Sequence, residues 1–268
     1  MTCVEIVEGT SPLVLGQPHA GTMIPPEVSV ALNDTGRAVP DTDWWIDRLY
    51  AAIAARHRAT IVRQTLSRYV IDVNRDATGA SLSPGQATPE LCPTTTFDGE
   101  PIYRDGAAPD AAEIARRREA FYLPFHAAMA AALERARLRF GYAVLVDCHS
   151  IRSRVPRLFE GELPVFNLGT NSGAASAPAI RAAAAAAAKA TGRSFVVDGR
   201  FKGGAITRRH GEPARHVHAV QIELAQSAYM DEAPPWTFRP ERAGPTATDL
   251  GTIVDAIVAA ARDLETER

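Results

Sequence analysis

The fold of this chain is decided by two apolar stretches, Pro12-Leu13-Val14-Leu15 and Ala143-Val144-Leu145-Val146. The first leads into Gln17-Pro18-His19-Ala20-Gly21, and the second leads into Asp147-Cys148-His149-Ser150. Short apolar runs of this kind predict buried strands, and ligands of α/β proteins gather at the carboxyl ends of such strands. Because each run ends near a histidine, the sequence suggests a metal site at one edge of a sheet.

The composition is typical of a globular protein with a full core. The chain has 268 residues, of which 46% are hydrophobic and 22% are charged, so we expect a single domain over residues 1–268. The formal net charge of -2 provides no basic field that would attract a phosphate backbone, which argues against a nucleic-acid partner. Nothing in the sequence indicates an oligomeric state.

The sequence also argues against a membrane protein. Residues 1–10 carry acids rather than a basic segment followed by an apolar one, and no run of about 18 apolar residues occurs. The three cysteines, Cys3, Cys92 and Cys148, show no paired spacing, so we expect free thiols rather than disulfides or a thiolate zinc site. These features predict a cytoplasmic protein.

Strand-like and helix-like patterns alternate along the chain, which predicts an α/β fold. The predicted helices are a segment opened by Asp41-Thr42-Asp43 with Trp45, Ile46, Leu49, Tyr50 and Ile53 on one face, residues 109–140 with a kink or division at Pro124, residues 176–191, and residues 248–264. The further predicted strands are residues 61–66, 69–73, 165–168, 194–197 and 216–224. Residues 77–108 predict an irregular wall or lid over a site.

A hydrolytic metal site needs about three protein ligands, usually histidine and carboxylate, and an open position for water. His19 and His149 are the best placed of the seven histidines. The alternative for each is a hydrogen-bonded residue at the end of a strand. Cys148 and His149 are adjacent, so on a strand they point to opposite faces, which argues against a cysteine nucleophile with its base.

The carboxylate ligand is not obvious from the sequence. Thr22, not an acid, stands three residues after His19, and the nearby candidates are Asp41, Asp43 and Asp147. Asp41 and Asp43 have an alternative role as caps of the following helix. Asp147 shares a face with His149 if the strand continues, and has an alternative role as a hydrogen-bonding acid.

Three further residues carry charges suited to catalysis or binding. Glu223 lies within an apolar strand, where a carboxylate near an activated water acts as a general base, or else forms an ion pair with an upstream arginine. Arg75 follows a predicted strand and Arg208 follows the Gly203-Gly204 pair. Each guanidinium is suited to binding a carboxylate, and the alternative for each is an ordinary exposed surface residue.

Six segments together resemble the N-formylglutamate amidohydrolase family, and the resemblance spans nearly the whole chain in order. They are Gln17-Pro18-His19-Ala20-Gly21, Asp41-Thr42-Asp43-Trp44, Tyr69-Val70-Ile71-Asp72-Val73-Asn74-Arg75, Leu91-Cys92-Pro93-Thr94-Thr95, Asp147-Cys148-His149-Ser150, and residues 199–230 with Phe201-Lys202-Gly203-Gly204, Ile206-Thr207-Arg208 and Tyr229-Met230.

The resemblance implies a three-layer α/β/α fold with a central mixed sheet, as in zinc-dependent exopeptidases and aspartoacylase (phosphorylase/hydrolase-like). It implies Zn²⁺ held by two histidines and a carboxylate, with another divalent transition metal as an alternative. Related exopeptidases often place a glutamate at the Thr22 position, so the carboxylate comes from elsewhere. The implied metal ligands are His19, His149 and Asp43, with Asp41 as the second choice for the carboxylate. Glu223 is the implied base, and Asn74 and Arg75 are the implied substrate pair. Further residues implied around the substrate are Arg208, Arg152, Arg104 and His218.

The implied reaction is hydrolysis of N-formyl-L-glutamate to formate and L-glutamate in histidine degradation. Glu223 would deprotonate the attacking water and then protonate the departing amine, while the metal and Arg75 stabilise the oxyanion. The implied partner is therefore a small molecule with carboxylates. Two alternatives stay open: an amidohydrolase for another N-acyl amino acid, and a non-catalytic relative that binds a metal or an anion.

Overall fold

A computed structural model of the chain describes residues 2–78 and 90–266. Its centre is a seven-stranded mixed sheet with the strand order β1-β3-β2-β4-β7-β5-β6. The strands are β1 Val4–Val7, β2 Leu13–Gln17, β3 Thr60–Gln64, β4 Ala143–Ile151, β5 Phe166–Gly169, β6 Phe195–Val197 and β7 Val217–Ala225.

Four neighbouring strands in the middle of the sheet, β3, β2, β4 and β7, run parallel to one another. The edge strand β1 is antiparallel to β3, and β5 is antiparallel to β7 while β6 runs parallel to β5. Every residue of β2, β4 and β7 is buried, as expected of strands covered on both faces. The carboxyl ends of β2, β4 and β7 consequently meet at one edge of the sheet.

Helices cover both faces of the sheet. They are α1 Pro26–Ser29, α2 Asp34–Ala38, α3 Ile46–His57, α4 Ala111–Arg117, α5 Leu123–Phe140, α6 Pro178–Ala190, α7 Ala205–His210 and α8 Pro240–Thr266, with a π-helical turn over Arg118–Tyr122. Helices α3, α6 and α8 pack on one face, whereas α5 and α7 pack on the other. The predicted three-layer α/β/α fold with a central mixed sheet is confirmed.

Alternate residues of β4 separate the two layers. Val144, Val146 and Cys148 face the core formed with α3, α6 and α8, whereas Leu145 faces the core formed with α5. The thiol of Cys148 donates to the carbonyl of Val146 within that first core, and burial raises its pKa well above the usual value. The prediction that Cys148 points away from His149 is therefore confirmed, and all three cysteines are free thiols.

Most of the predicted elements occur within a few residues of their expected bounds. Residues 111–140 are helical without a break, and in place of a division the structure has a π-helical turn over Arg118–Tyr122, which ends two residues before Pro124. The last helix begins at Pro240 rather than at residue 248 and continues through Pro245. The strand β1 and the helices α1, α2 and α7 were not predicted.

The strand predicted over residues 69–73 is wrong. This segment lies in turns and irregular backbone, where the N–H of Val70 donates to the carbonyl of Ser67 and the N–H of Asp72 donates to that of Leu91. Its β-branched residues instead fill two core clusters, one on either side of the segment. Residues 77 and 78 and the described residues 90–108 are irregular as expected, while residues 79–89 of that prediction lie outside the described part.

No helix within the described ranges is both long and apolar enough to cross a membrane. The cytoplasmic location stays a prediction.

A candidate metal centre in a cationic cleft

The candidate site lies where the central parallel strands end. His19 follows the last residue of β2 by two positions, while His149 and Glu223 lie near the carboxyl ends of β4 and β7. The register pairs His149 directly with Glu223. Because side chains of registered neighbours project from the same face, the sheet places these two groups side by side on the face that carries α5 and α7.

His19, Asp43 and His149 form a compact buried group, each offering a ligand atom within 4.8 Å of the others. The Nδ1 atom of His19 lies 3.6 Å from Oδ2 of Asp43, and Nδ1 of His149 lies 3.2 Å from the same oxygen. The two imidazole centroids are 5.0 Å apart. Two imidazole nitrogens and one carboxylate oxygen therefore converge on one point.

Both imidazoles are oriented by a second carboxylate at the opposite nitrogen. Nε2 of His19 donates to Oδ1 of Asp72 at 2.7 Å, and Nε2 of His149 donates to Oδ1 of Asp147 at 2.9 Å. A carboxylate accepts only, so each Nε2 carries a proton, and Nδ1, the nitrogen that faces Asp43, is the one that can bind a metal once it is deprotonated. This carboxylate–histidine arrangement is the usual support of a metal-binding imidazole, and it fits a divalent transition metal.

The electrostatics of the group support ligation by His149. Burial opposes protonation of this imidazole, but the charge and hydrogen bond of Asp147 raise the pKa of His149 well above its usual value. The same effect increases the basicity of a metal-binding nitrogen. Asp147 is itself held by the hydroxyl of Thr207 at 2.9 Å, so the prediction of Asp147 as a hydrogen-bonding acid is supported.

Asp43 is held in the site by contacts from three directions. Its backbone N–H donates to the carbonyl of His19, and its Oδ2 accepts from the backbone N–H of Ser150 at 3.1 Å. Arg68 lies 3.6 Å from the other oxygen. Burial alone would raise the pKa of Asp43, but His19, His149 and Arg68 hold it below the usual value, so the ligand oxygen is ionised.

Asp41 belongs to a different hydrogen-bond network. Its Oδ2 accepts from the hydroxyl of Tyr69 at 2.6 Å and from the backbone N–H of Phe97 at 2.7 Å. The helix α3 begins at Ile46, and its N-terminal flanking residue is Trp45, so neither aspartate caps it. The alternative role of Asp41 and Asp43 as helix caps is wrong, because both carboxylates are used in tertiary contacts.

A cleft with several cationic side chains opens above this group. Its lining includes three predicted site residues besides His19, His149 and Glu223, namely Asn74, Arg75 and Arg208. Arg68, Arg200 and Lys202 add positive charge, and Phe97, Ile151, Leu158, Phe201, Gly203, Gly204 and Gln221 complete the wall. The described part of residues 77–108 thus contributes Phe97 to the wall.

Glu223 is the carboxylate that faces this cleft. The residue is only 7% exposed, and burial raises its pKa to about 7 against the opposing effect of His149. A carboxyl group with this pKa can accept and return a proton near neutral pH. Its Oε2 accepts from Nε2 of Gln221 at 3.1 Å, which differs from the predicted alternative of an ion pair with an upstream arginine.

The first turn of α7 fixes the side chain of Asn74. The backbone N–H of Ile206 donates to Oδ1 of Asn74 at 2.9 Å, so Nδ2 faces His149 at 3.1 Å. A Cβ at Gly204 would lie only 2.4 Å from the amide atoms of Asn74, and this position therefore requires glycine. Arg75 extends from the same loop and lies 3.3 Å from Asp72.

The comparisons with known proteins agree with this geometry. The family model described as N-formylglutamate amidohydrolase matches residues 11–230. The chain belongs to the N-formylglutamate amidohydrolase family. Two similar proteins are the N-formylglutamate deformylases of Pseudomonas putida and Pseudomonas aeruginosa. The first is 46% identical over 94% of this chain and 94% of its own length, and the second is 46% identical over 95% and 96%.

Two solved structures superpose on nearly all of the chain. The N-formylglutamate amidohydrolase from Ralstonia eutropha JMP134 has a TM-score of 0.79 at 24% identity and covers 96% of this chain and 98% of its own. An Agrobacterium tumefaciens gene product has a TM-score of 0.72 at 20% identity, with 99% and 97% coverage. The family predicted from the sequence is confirmed, and with it a hydrolase of this class.

The structure does not bring three of the residues predicted around the substrate into the cleft lining. Arg152 lies 2.7 Å from Asp98 and 3.7 Å from Asp41. Arg104 is exposed, and its backbone N–H donates to the carbonyl of Ala31. His218 precedes Glu223 by five residues on β7, which places it on the opposite face and roughly 16 Å along the strand. Their roles in substrate binding stay predictions.

Several site residues were missed by sequence reasoning. Arg68 contacts Asp72, Asp43 and the ring of His19 from one buried position, and no pattern in the sequence indicated this because the segment is neither helix nor strand. Gln221 shares a strand face with Glu223, two residues away. Arg200 and Lys202 flank Phe201 in a segment that had been noted only for its resemblance.

Proposed function

We propose that this member of the family is a metal-dependent N-formylglutamate deformylase, which hydrolyses N-formyl-L-glutamate to formate and L-glutamate. One observation carries the proposal: the buried His19–Asp43–His149 group lies beside Glu223 at the base of a cationic cleft. The close similarity to two named deformylases supports the choice of substrate.

The proposed metal ligands are Nδ1 of His19, Nδ1 of His149 and a carboxylate oxygen of Asp43. Imidazole and carboxylate ligands suit Zn²⁺, with Mn²⁺, Fe²⁺ and Co²⁺ as alternatives. When bound, the metal would supply Lewis-acid activation of water and of the formyl carbonyl. Each Nε2 keeps its proton and donates a hydrogen bond to its own carboxylate, so the chain orients both imidazoles with Nδ1 toward the proposed metal position.

Glu223 is the proposed general base and acid. It removes a proton from the attacking water as the new C–O bond forms at the formyl carbon. It then delivers that proton to the amide nitrogen as the C–N bond breaks, which releases formate and the free amine. The raised pKa of about 7 matches both halves of this transfer, because the same group must accept and then return one proton.

The cationic lining is the proposed binding surface for the two carboxylates of the substrate. Arg75 lines the cleft and lies beside the ligand group through its contact with Asp72, so we assign it to the developing oxyanion and the adjacent substrate carboxylate. Asn74 contacts the substrate from the same loop. Arg208 approaches from α7, where its Nε donates to the carbonyl of Gly203. Planar guanidinium groups suit bidentate binding of carboxylates.

The proposal extends to the whole chain and to its metabolic place. We expect residues 1–268 to act as one catalytic domain, supported by the single sheet that carries all three strand ends of the site. A role in histidine degradation follows from the proposed substrate and stays a prediction.

The substrate assignment is tested by measuring formate and free-amine release from a matched panel. N-formyl-L-glutamate is compared with N-acetyl-L-glutamate and N-acetyl-L-aspartate on purified protein of known metal content. We expect kcat/KM to be highest for the formyl substrate. A preference for an acetyl substrate would move the assignment to another N-acyl amino acid, and no hydrolysis of any member by metal-loaded protein would contradict an enzymatic role.

A further inference from the structure

Gln221 sits beside Glu223 in a position that the reaction outlined above does not use. Both side chains project from one face of β7, and Gln221 is only 2% exposed. The register pairs Gln221 with Asp147 and Glu223 with His149. On β4, Asp147 contacts His149 two positions further along the strand. On β7, Gln221 contacts Glu223 in the same way.

The orientation of the Gln221 amide is determined by its two partners. Its Oε1 accepts from the backbone N–H of Gly204 at 2.8 Å, and a backbone N–H can only donate. Nε2 must then point to Oε2 of Glu223, 3.1 Å away, where the carboxylate accepts. Neither contact survives a flip of the amide, so the side chain has one satisfied arrangement.

We propose that Gln221 is a positioning residue for the proton-transferring carboxylate of Glu223. This inference rests on the proposed function. The hydrogen bond occupies Oε2 and restricts rotation of the carboxylate, so Oε1 becomes the oxygen that exchanges a proton with water and with the amine. Errors of about 1 Å in such a group reduce turnover by about 100-fold, although substrate contacts elsewhere are kept.

The hydrogen bond between Gln221 and Gly204 also connects Glu223 to the segment that holds Asn74. Gly204 directly precedes α7, whose first residues hold Asn74 through the N–H of Ile206 and Asp147 through the hydroxyl of Thr207. Residues 204–207 thus orient Glu223 through Gln221, and they also hold the side chains of Asn74 and Asp147. The Gln221 amide holds the backbone of Gly204 at one end and the carboxylate of Glu223 at the other. Both hydrogen bonds resist displacement of this carboxylate relative to the substrate.

The test compares Gln221→Met with Gln221→Asn. Methionine has a similar length but makes neither hydrogen bond, whereas asparagine keeps a neutral amide that is one methylene too short to bridge Gly204 and Glu223. We expect each change to lower kcat for formate release by about 10- to 100-fold, with KM within about threefold and metal content unchanged. Gln221→Asn keeps the test usable if Gln221→Met fails to fold.

Asn167→Ala is the matched control. Asn167 is equally buried, and its amide donates to the main-chain carbonyl of Glu223 instead of the carboxylate. We expect this variant to keep kcat within about threefold. The inference is overturned if Gln221→Asn retains wild-type kcat, if KM rises while kcat is kept, or if Asn167→Ala loses as much kcat. A wild-type protein that releases no formate would instead contradict the proposed function itself.

Discussion

His149 and Glu223 occupy directly opposed positions on the parallel strands β4 and β7. One is a proposed metal ligand and the other is the proposed base, so a single register sets their separation. A one-residue slip would turn every side chain of the slipped strand to the other face. The burial of both strands along their whole length resists such a slip.

The first prediction concerns the base. Glu223→Gln keeps the shape of the side chain but removes its capacity to accept a proton, so we expect kcat to fall by about 100- to 10,000-fold. Because Glu223 is not a proposed ligand, metal content should equal that of the wild type. Formate release and metal analysis on the same samples check both statements, and a variant with full activity would refute the assigned role.

The second prediction separates the two neighbouring aspartates. Asp43→Ala removes a proposed ligand, so we expect loss of most bound metal and of activity. Asp41→Asn leaves the ligands intact but disturbs acceptors for Tyr69 and Phe97, so it should keep its metal and lose about 1–3 kcal/mol of unfolding free energy. Metal analysis and denaturant unfolding distinguish them; metal loss only in the Asp41 variant would reverse the assignment.

The third prediction concerns the support of His149. Asp147→Asn weakens the acceptor for Nε2 of His149, and we expect metal affinity to fall by about 10- to 100-fold. Thr207→Val removes only the hydroxyl that contacts the other oxygen of Asp147, and should have a smaller effect. Competition with a metal-binding indicator measures both affinities. Equal affinities for wild type and Asp147→Asn would contradict this account.

The fourth prediction concerns a buried histidine pair outside the proposed chemistry. Nε2 of His126 donates to the carbonyl of Val73, so its Nδ1 accepts from Nε2 of His210 at 3.0 Å. Burial lowers the pKa of His126 to about 4 and that of His210 to about 3. Both are therefore neutral in the folded protein, while the unfolded chain takes up protons below about pH 6.5.

Stability should consequently decrease as the pH falls from about 6.5 toward 4, by up to about 1.4 kcal/mol per pH unit for each histidine. His210→Gln removes one titrating group and can still donate to His126, so the slope should become shallower. Urea unfolding of chelator-treated protein across this range measures the slope without a contribution from metal release. Identical slopes for wild type and variant would refute the pair as its source.

The sequence predicted the strands that carry the site because their apolar runs are long and continuous. It also predicted His19, His149 and Glu223, since each lies at or near such a run. It failed for residues 69–73, where β-branched residues fill two cores around a turn instead of joining the sheet. Local pattern does not distinguish these outcomes, because tertiary packing overrides β propensity.

The choice between Asp41 and Asp43 needed the structure for a similar reason. Their position before the predicted helix allowed both aspartates to cap it. In the structure Asp43 contacts His149, which is 106 residues away in the sequence, and Asp41 contacts Phe97, which is 56 residues away. Arg152, Arg104 and His218 lie outside the cleft lining, which the sequence did not indicate because residue type alone does not reveal where a side chain points. Gln221 was overlooked because an amide carries no charge, although its spacing to Glu223 was visible.

On the proposed mechanism, the His19–Asp43–His149 group holds the metal on which deformylation depends. The most direct measurement is formate release from N-formyl-L-glutamate by one preparation before chelation, after chelation and after addition of Zn²⁺, with metal content determined at each stage. We predict about one metal ion per chain in the active protein, loss of activity in step with metal removal, and recovery on reloading. Full activity of metal-free protein would contradict the claim.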